Sequence, residues 1–201
     1  MKIHRHPFTE LPAGAVRDDR EYWRRHLGPI VGEWLTFETT LPEIVAFVDK
    51  VYLAHDLSDF GGDSHYIQNE VPQRSFSKLR SSIAGLYAWR AQNTESREEK
   101  QRMLREAEFA FRQAFVLCPS SPAAVFRYVN LLVGQKRLED AISLVEAAVR
   151  LEEKPRPAPE LPSHVQYEGA HRPMIPSRSN PERLLTQLGS LVEQLKKMKA
   201  R

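Results

Sequence analysis

Histidine and cysteine are among the side chains of this sequence that most often carry metal or covalent chemistry. His4 and His6 stand two residues apart near the start of the chain, but no carboxylate stands beside them at ligand spacing, so we interpret them as solvated residues. The lone cysteine, Cys118, directly precedes Pro119, where a small apolar side chain packs well, whereas a catalytic thiolate would need a basic neighbour. We therefore expect Cys118 to be buried and chemically inert.

Three aspartates, Asp56, Asp59 and Asp63, lie in a glycine-bearing segment, which suggests a calcium site. Their spacing does not follow the EF-hand pattern and no glutamate stands at its twelfth position, so we expect them to cap the loop instead. The sequence contains no glycine-rich phosphate loop, serine nucleophile elbow or paired-carboxylate motif. These observations predict a non-enzymatic protein with no catalytic residue, no cofactor and no metal site.

Composition narrows the class of protein further. The chain has 201 residues, of which 41% are hydrophobic, enough for one large or two small domains with a buried core. No apolar run is long enough to span a bilayer and no secretory signal is recognisable, so we expect a soluble chain, cytoplasmic by default, without direct membrane insertion. The net charge is +3, and the basic residues are interleaved with glutamate, which argues against nucleic acid as a partner.

The elements that would position any site are helices, because apolar residues recur at three- and four-residue spacing before the proline-rich stretch. One helix is expected over 19–38, and a second begins at Thr40, which forms a capping box with Glu43. Residues 56–72 are expected to form a loop. A third helix is expected from Phe76 to Ala91, marked by the apolar residues Phe76, Leu79, Ile83, Leu86 and Tyr87. A fourth is expected to begin at the capping box of Ser96 and Glu99, and a fifth at Pro122. A sixth is expected from Leu138 to Leu151.

A repeat of 34 residues is the strongest pattern in the chain. Ala107, Phe111 and Ala114 are matched 34 residues later by residues of similar size and polarity, Ala141, Val145 and Ala148. This spacing resembles the tetratricopeptide repeat over residues 76–153, although Arg80 and Val125 stand where that family has tryptophan. The resemblance implies an all-α array of helical hairpins, with two clear repeats and an N-terminal hairpin packed as a degenerate extra one.

The same resemblance implies a site. In tetratricopeptide arrays the first helix of each pair lines a concave groove, and such a groove would hold a protein or peptide ligand. Cations and an amide of the groove would bind the backbone or a carboxylate of the ligand, and aromatic rings of the groove would contact an apolar side chain of the ligand. The alternative is that these positions are merely solvated or packed against the N-terminal hairpin. The residues that fall on groove positions are Lys78, Ser82, Gly85, Trp89, Phe126, Arg127, Asn130 and Val133.

A second resemblance is narrower. The string from Phe76 to Arg90, with Asp19 to Trp23 upstream, is similar to the soluble C-terminal tail of bacterial polytopic membrane proteins related to protein O-mannosyltransferases. It implies an alternative function, as the accessory tail of a glycosyltransferase-like membrane protein, in which transferase activity would reside in a membrane domain that this sequence does not contain. On that hypothesis the chain would be membrane-associated and Met1 would not be its natural start.

The last segment predicts a separate helix. Half of the 14 prolines fall between Pro155 and Pro181, which indicates a linker, and Asn180 and Pro181 then favour a helix start. Leu184, Leu188, Leu191, Leu195 and Met198 follow at the spacing of a coiled-coil seam. The stripe would either cap the repeat array or pair two chains as a homodimer. The expected organisation is 1–18 extension, 19–72 helical hairpin and loop, 73–154 repeats, 155–179 linker and 180–201 amphipathic helix.

Overall fold

The computed structural model describes residues 11–153 and 181–200, and within these ranges every regular element is helical. The expected all-α class is therefore confirmed. In chain order the helices are α1 (Ala13–Val31), α2 (Leu41–Val48, continued by the π-helical turn Asp49–Leu53), α3 (Ser64–Gln68), α4 (Glu70–Asn93), α5 (Arg97–Leu117), α6 (Pro122–Gly134), α7 (Leu138–Glu153) and α8 (Pro181–Lys199).

Consecutive helices pair in the second half of the described chain. Helix α4 packs along α5, and α6 packs along α7. The short connections 94–96 and 135–137 make each pair a hairpin, and α6 also lies against both α4 and α5. Small side chains at the contacts allow close approach of the helix backbones. The four alanines of the 34-residue repeat, Ala107, Ala114, Ala141 and Ala148, have no exposed surface.

The first helix starts and ends earlier than the apolar spacing suggested. The expected range was 19–38, whereas α1 spans Ala13–Val31. It ends because Gly32 adopts φ of 89°, a left-handed conformation that terminates the helix. The next helix begins as predicted, since Thr40 and Glu43 form a reciprocal capping box at the start of α2.

The segment 56–72, expected to be a loop, contains the short helix α3 and the first turn of α4. Asp63 accepts a hydrogen bond from the backbone of His65 at 2.9 Å and caps α3. Asn69 caps α4 in the same way, through the backbone N–H of Val71 at 3.1 Å. Local side-chain caps therefore start two helices in a segment where hydrophobic periodicity gives little signal.

The buried face of α4 is more polar than its sequence suggested. Leu79 and Leu86, two of the apolar residues that marked this helix in the sequence, are 50% and 52% exposed. The residues that α4 buries are Gln73, Ser77, Arg80, Ser81, Ala84, Tyr87 and Ala91. Because α4 meets polar partners on neighbouring helices, these two leucines lie outside its buried face.

Two tyrosines attach the N-terminal elements to the end of α5. The hydroxyl of Tyr52 donates to the carbonyl of Val116 at 2.7 Å, and that of Tyr66 donates to the carbonyl of Leu117 at 3.0 Å. The last carbonyls of a helix have no partner within the helix, so these buried bonds satisfy groups that would otherwise be costly. The end of α5 is thereby joined to the π-helical turn and to α3.

The terminal helix α8 packs against α7. It buries Leu188, Val192 and Leu195, whereas Met198 is 48% exposed, so the buried stripe differs from the predicted seam. The ammonium nitrogen of Lys196 lies 3.0 Å from a carboxylate oxygen of Glu146 on α7, and that of Lys199 lies 2.8 Å from a carboxylate oxygen of Glu139. This position is the one expected of a cap on the last helix pair. The predicted linker, Asn180, and the histidines 4 and 6 lie outside the described residues.

Candidate functional site

The candidate surface is the exposed side of α4 and α6, the two helices that begin the hairpins. The guanidinium of Arg127 on α6 donates to the hydroxyl of Ser82 on α4 at 3.3 Å. Gly85 lies at the same junction, since a Cβ atom on it would stand 4.0 Å from a guanidinium nitrogen of Arg127. The structure therefore brings three of the predicted groove residues together from two helices.

The other predicted groove residues differ in exposure. Lys78 and Asn130 are exposed, and Trp89 is 43% exposed. Phe126 and Val133 are half-buried and pack against the hydrophobic core. A ligand on this surface would therefore meet the indole of Trp89 more fully than the ring of Phe126.

Sequence reasoning missed three apolar residues of this surface. Val71, Leu79 and Leu86 are 68%, 50% and 52% exposed, and all three lie on α4 with Trp89. Among residues 11–153 and 186–200, the other large hydrophobic residues exposed to this degree are Tyr22 and Met198. Exposed apolar surface is thus concentrated on one helix, and concentration of this kind marks interaction sites.

From Val71 to the end of α4 and throughout α6, every Asp, Glu, Lys or Arg is a basic residue. In the sequence no aspartate or glutamate occurs from Val71 to Asn93 or throughout α6. Glu70, at the start of α4, forms an ion pair with Arg74, in which a carboxylate oxygen lies 3.1 Å from a guanidinium nitrogen. The exposed cations that remain beside the apolar residues are Lys78 and Arg127. The surface is therefore apolar, basic and lined by hydroxyl and amide groups.

A buried polar cluster fixes the opposite side of α4. The guanidinium of Arg80 donates to Gln113 on α5 at 2.7 Å and lies 4.9 Å from the centre of the Trp23 ring on α1. The hydroxyl of Tyr87 donates to Asp19 at 2.9 Å, and burial raises the pKa of Tyr87 above its ordinary value. Because these contacts join α4 to α1 and α5, the exposed face of α4 is held on a rigid support.

A concave region away from this surface lies between α1 and α5. This cavity of about 410 Å³ is lined by Arg20, Phe37, Glu98, Gln101, Arg102, Arg105 and Glu106. Arg20 is already engaged, since it forms a bidentate pair with Glu106, whose side chain is 3% exposed, and stacks over the Phe37 ring. Arg102 likewise pairs with Glu99 and donates to the carbonyl of Leu11. These contacts join α1 to α5 and give the arginines a structural role.

The other candidates for chemistry have local roles. Asp56 accepts hydrogen bonds from the backbone and the hydroxyl of Ser58, and Asp63 caps α3, as loop capping predicts. Cys118 is 1% exposed, as expected. Within the described residues no three His, Cys, Asp or Glu side chains converge in an arrangement suited to a metal ion.

None of the described helices combines the length and apolar character needed to cross a bilayer.

Comparison with known proteins gives no family for this chain. No protein-family model, no curated protein and no solved structure matches it. The two resemblances drawn from the sequence, to tetratricopeptide repeats and to the tails of O-mannosyltransferase-related proteins, therefore stay predictions. Functional inference has to rest on the surface itself.

Proposed function

We propose that this protein is a non-enzymatic interaction module that binds another polypeptide on the surface formed by α4 and α6. The observation that supports it is the row of exposed apolar side chains on α4, namely Val71, Leu79, Leu86 and Trp89. A soluble helix normally turns such residues toward the core. Here the core side of α4 is filled by other residues, which leaves the apolar row available to a partner.

Tetratricopeptide-type packing is the architecture we propose for the two hairpins. It is supported by the 34-residue spacing, by the burial of all four repeat alanines, and by the lateral contact between α4 and α6. Arg80 stands where the family has tryptophan, yet its side chain is 1% exposed and fills a buried position. Its polar partners compensate for this departure from the family pattern.

The size of the apolar row indicates a moderate contribution to binding. Covering the exposed half of a leucine side chain contributes about 1 kcal/mol. Leu79 and Leu86 together therefore supply about 2 kcal/mol, and Trp89 adds a larger, more rigid area. Such a surface suits a reversible interaction in which polar contacts from Arg127 and Asn130 provide specificity.

Photo-crosslinking in cells of the native source tests this proposal. Benzoylphenylalanine at position 86 should form covalent adducts with a partner polypeptide, because this side chain would lie in the interface. The matched control places it at Tyr22, which is 49% exposed on α1 and lies away from the proposed surface. Equal adduct formation at both positions, or none at position 86, would contradict the proposed function.

A further inference from the structure

We infer that the polypeptide bound on this surface is an acidic amphipathic α-helix that lies along α4. This inference rests on the proposed function and adds the conformation and charge of the ligand. Three features carry it: the spacing of the exposed residues, the alternation of their sizes, and the position of the cations.

Six of the exposed residues of α4 follow the spacing of a coiled-coil seam. Their separations are four, three, four, three and four residues, a period of 3.5 that keeps one stripe facing a second helix. The stripe covers about 27 Å of helix at the rise of about 1.5 Å per residue. Its members are Ser75, Leu79, Ser82, Leu86, Trp89 and Asn93, all exposed.

Small and large side chains alternate over the first four residues of this stripe. Ser75 and Ser82 stand on either side of Leu79, and Ser82 also precedes Leu86. The short side chain of Ser82, whose hydroxyl accepts a hydrogen bond from Arg127, leaves room between the two leucines for an apolar side chain of a partner helix, as knobs fit holes in a coiled coil. An extended peptide presents side chains to one face every second residue, a period that does not match this heptad spacing.

The cations occupy the flank of this seam that faces α6. Lys78 stands directly before Leu79, and the equivalent position one heptad later is Gly85. Gly85 has no side chain, and the guanidinium of Arg127 lies against the space it leaves. Two positive charges one heptad apart therefore border the seam, where flanking charges set the choice of partner in coiled coils.

Charge also argues against two occupants, the same surface of a second copy and the terminal helix α8. A second copy would bring its own Lys78 and Arg127 against the same cations, and like charges at such an interface are unfavourable. The terminal helix α8 is unsuitable as well, because it carries Lys196, Lys197 and Lys199 in its last turn and packs on α7. A separate polypeptide with glutamate or aspartate beside its apolar stripe fits the surface.

The probe that tests this inference is a fluorescein-labelled peptide of 18 residues with leucine at heptad positions a and d and glutamate at e and g. Glutamate on both flanks prevents the peptide from pairing with itself. Two controls have the same length: one replaces every glutamate with lysine, and the other keeps the composition but places its leucines at alternate positions of its central stretch. Fluorescence anisotropy with the full chain measures the affinity of each.

We expect the acidic helical peptide to bind at least tenfold more tightly than either control. In the variant Lys78→Glu with Arg127→Glu, the acidic peptide should bind at least tenfold more weakly and the lysine peptide more tightly. Both substituted residues are exposed, and an unchanged circular dichroism spectrum verifies the fold. Equal affinity for all three peptides, or no response to the charge reversal, overturns the inference.

Two further outcomes separate this inference from other interpretations. Adducts at position 86 in cells, together with no preference for the acidic helical peptide, would leave the proposed function intact and refute the helical, acidic ligand. Vesicles rich in phosphatidylserine share the need for a basic and apolar surface. Vesicle binding lost in Leu79→Ser with Leu86→Ser, without peptide binding, would assign the surface to lipid and overturn the inference.

Discussion

Arg80 of α4 forms a buried ion pair with Asp19 of α1, with a guanidinium nitrogen 2.8 Å from a carboxylate oxygen. The Arg80 side chain is 1% exposed and that of Asp19 is 17% exposed. Burial lowers the pKa of Arg80 from its ordinary value, while the Asp19 carboxylate opposes this shift. The pair joins the first helix to the helix that carries the candidate surface.

The first prediction concerns this ion pair. Asp19→Ala should lower the free energy of unfolding by about 3 kcal/mol, because it leaves the Arg80 charge buried without its carboxylate partner. Urea denaturation measures the effect. The matched control is Asp18→Ala, since the Asp18 side chain is 76% exposed and its carboxylate lies 3.7 Å from the guanidinium of Arg17, itself exposed, so it should leave the midpoint unchanged. A loss in the control as large as that in Asp19→Ala would contradict the role of the buried pair.

Packing of the repeat alanines gives a second prediction. Ala141→Leu should overpack the contacts of α7 and cost on the order of 1–3 kcal/mol. Ala123→Leu on α6 is the control, because this alanine is exposed and the larger side chain meets no packed neighbour. A thermal melt of each variant decides the outcome. A melting temperature unchanged by Ala141→Leu would refute the alignment of the two repeats.

Part of the architecture followed from the sequence. The capping box of Thr40 and the prolines that begin α6 and α8 predicted helix starts correctly, because capping is determined by neighbouring residues. The burial of Ala107 and Ala141 followed from the repeat. These features depend on local chemistry or on internal similarity, both of which a single sequence contains.

The orientation of α4 did not follow from the sequence. Hydrophobic periodicity assumes that buried residues are apolar, whereas α4 buries Ser77 and Arg80 and exposes Leu79 and Leu86. The partners that make Arg80 acceptable in the interior come from α1 and α5, far away in the chain. Such long-range polar contacts have no signature in local spacing.

The candidate surface was predicted only in part. Alignment of the repeats placed Ser82 and Arg127 on groove positions, and in the structure the guanidinium of Arg127 donates a hydrogen bond of 3.3 Å to the hydroxyl of Ser82. It could not identify Leu79 and Leu86, because neither falls on a groove position of the repeat. The heptad spacing of these two residues with Trp89, offset from the buried stripe, is the signal that would have found them.

The third prediction is that the free energy of unfolding decreases at alkaline pH because of the buried hydroxyl of Tyr128. Burial raises the pKa of Tyr128 to about 12, and the Glu108 carboxylate adds to the shift while Arg112 opposes it. The unfolded chain releases this proton near pH 10, so the stabilisation is complete below pH 10 and falls as pH rises toward 12. From this residue alone, the free energy of unfolding should fall by about 1 kcal/mol between pH 10 and 11.

Urea denaturation across that pH range checks this prediction. Tyr128→Phe should reduce the alkaline slope, because phenylalanine has no proton to release. Tyr22→Phe should leave the slope unchanged, since Tyr22 is 49% exposed. Identical slopes in Tyr128→Phe and the unaltered chain would show that the Tyr128 hydroxyl does not contribute.

The terminal helix provides a fourth prediction. Deleting residues 179–201 should lower the melting temperature and leave the chain monomeric, because the packing of Leu188, Val192 and Leu195 against α7 would be lost. A role in pairing two chains predicts the reverse, with unchanged stability and the loss of a dimer. Light scattering and a melt on the same truncated protein distinguish the two. A truncation that alters neither quantity contradicts both.

Adduct formation from position 86 in the variant Arg127→Ala with Asn130→Ala tests the central claim most directly. Both side chains are exposed, so the helical circular dichroism signal should stay unchanged while the yield of adducts falls at least fivefold, about 1 kcal/mol of binding free energy. Arg17→Ala with Lys50→Ala, which removes exposed cations from α1 and the π-helical turn, should leave the yield unchanged. A yield that survives the loss of Arg127 and Asn130 would contradict binding on the α4–α6 surface.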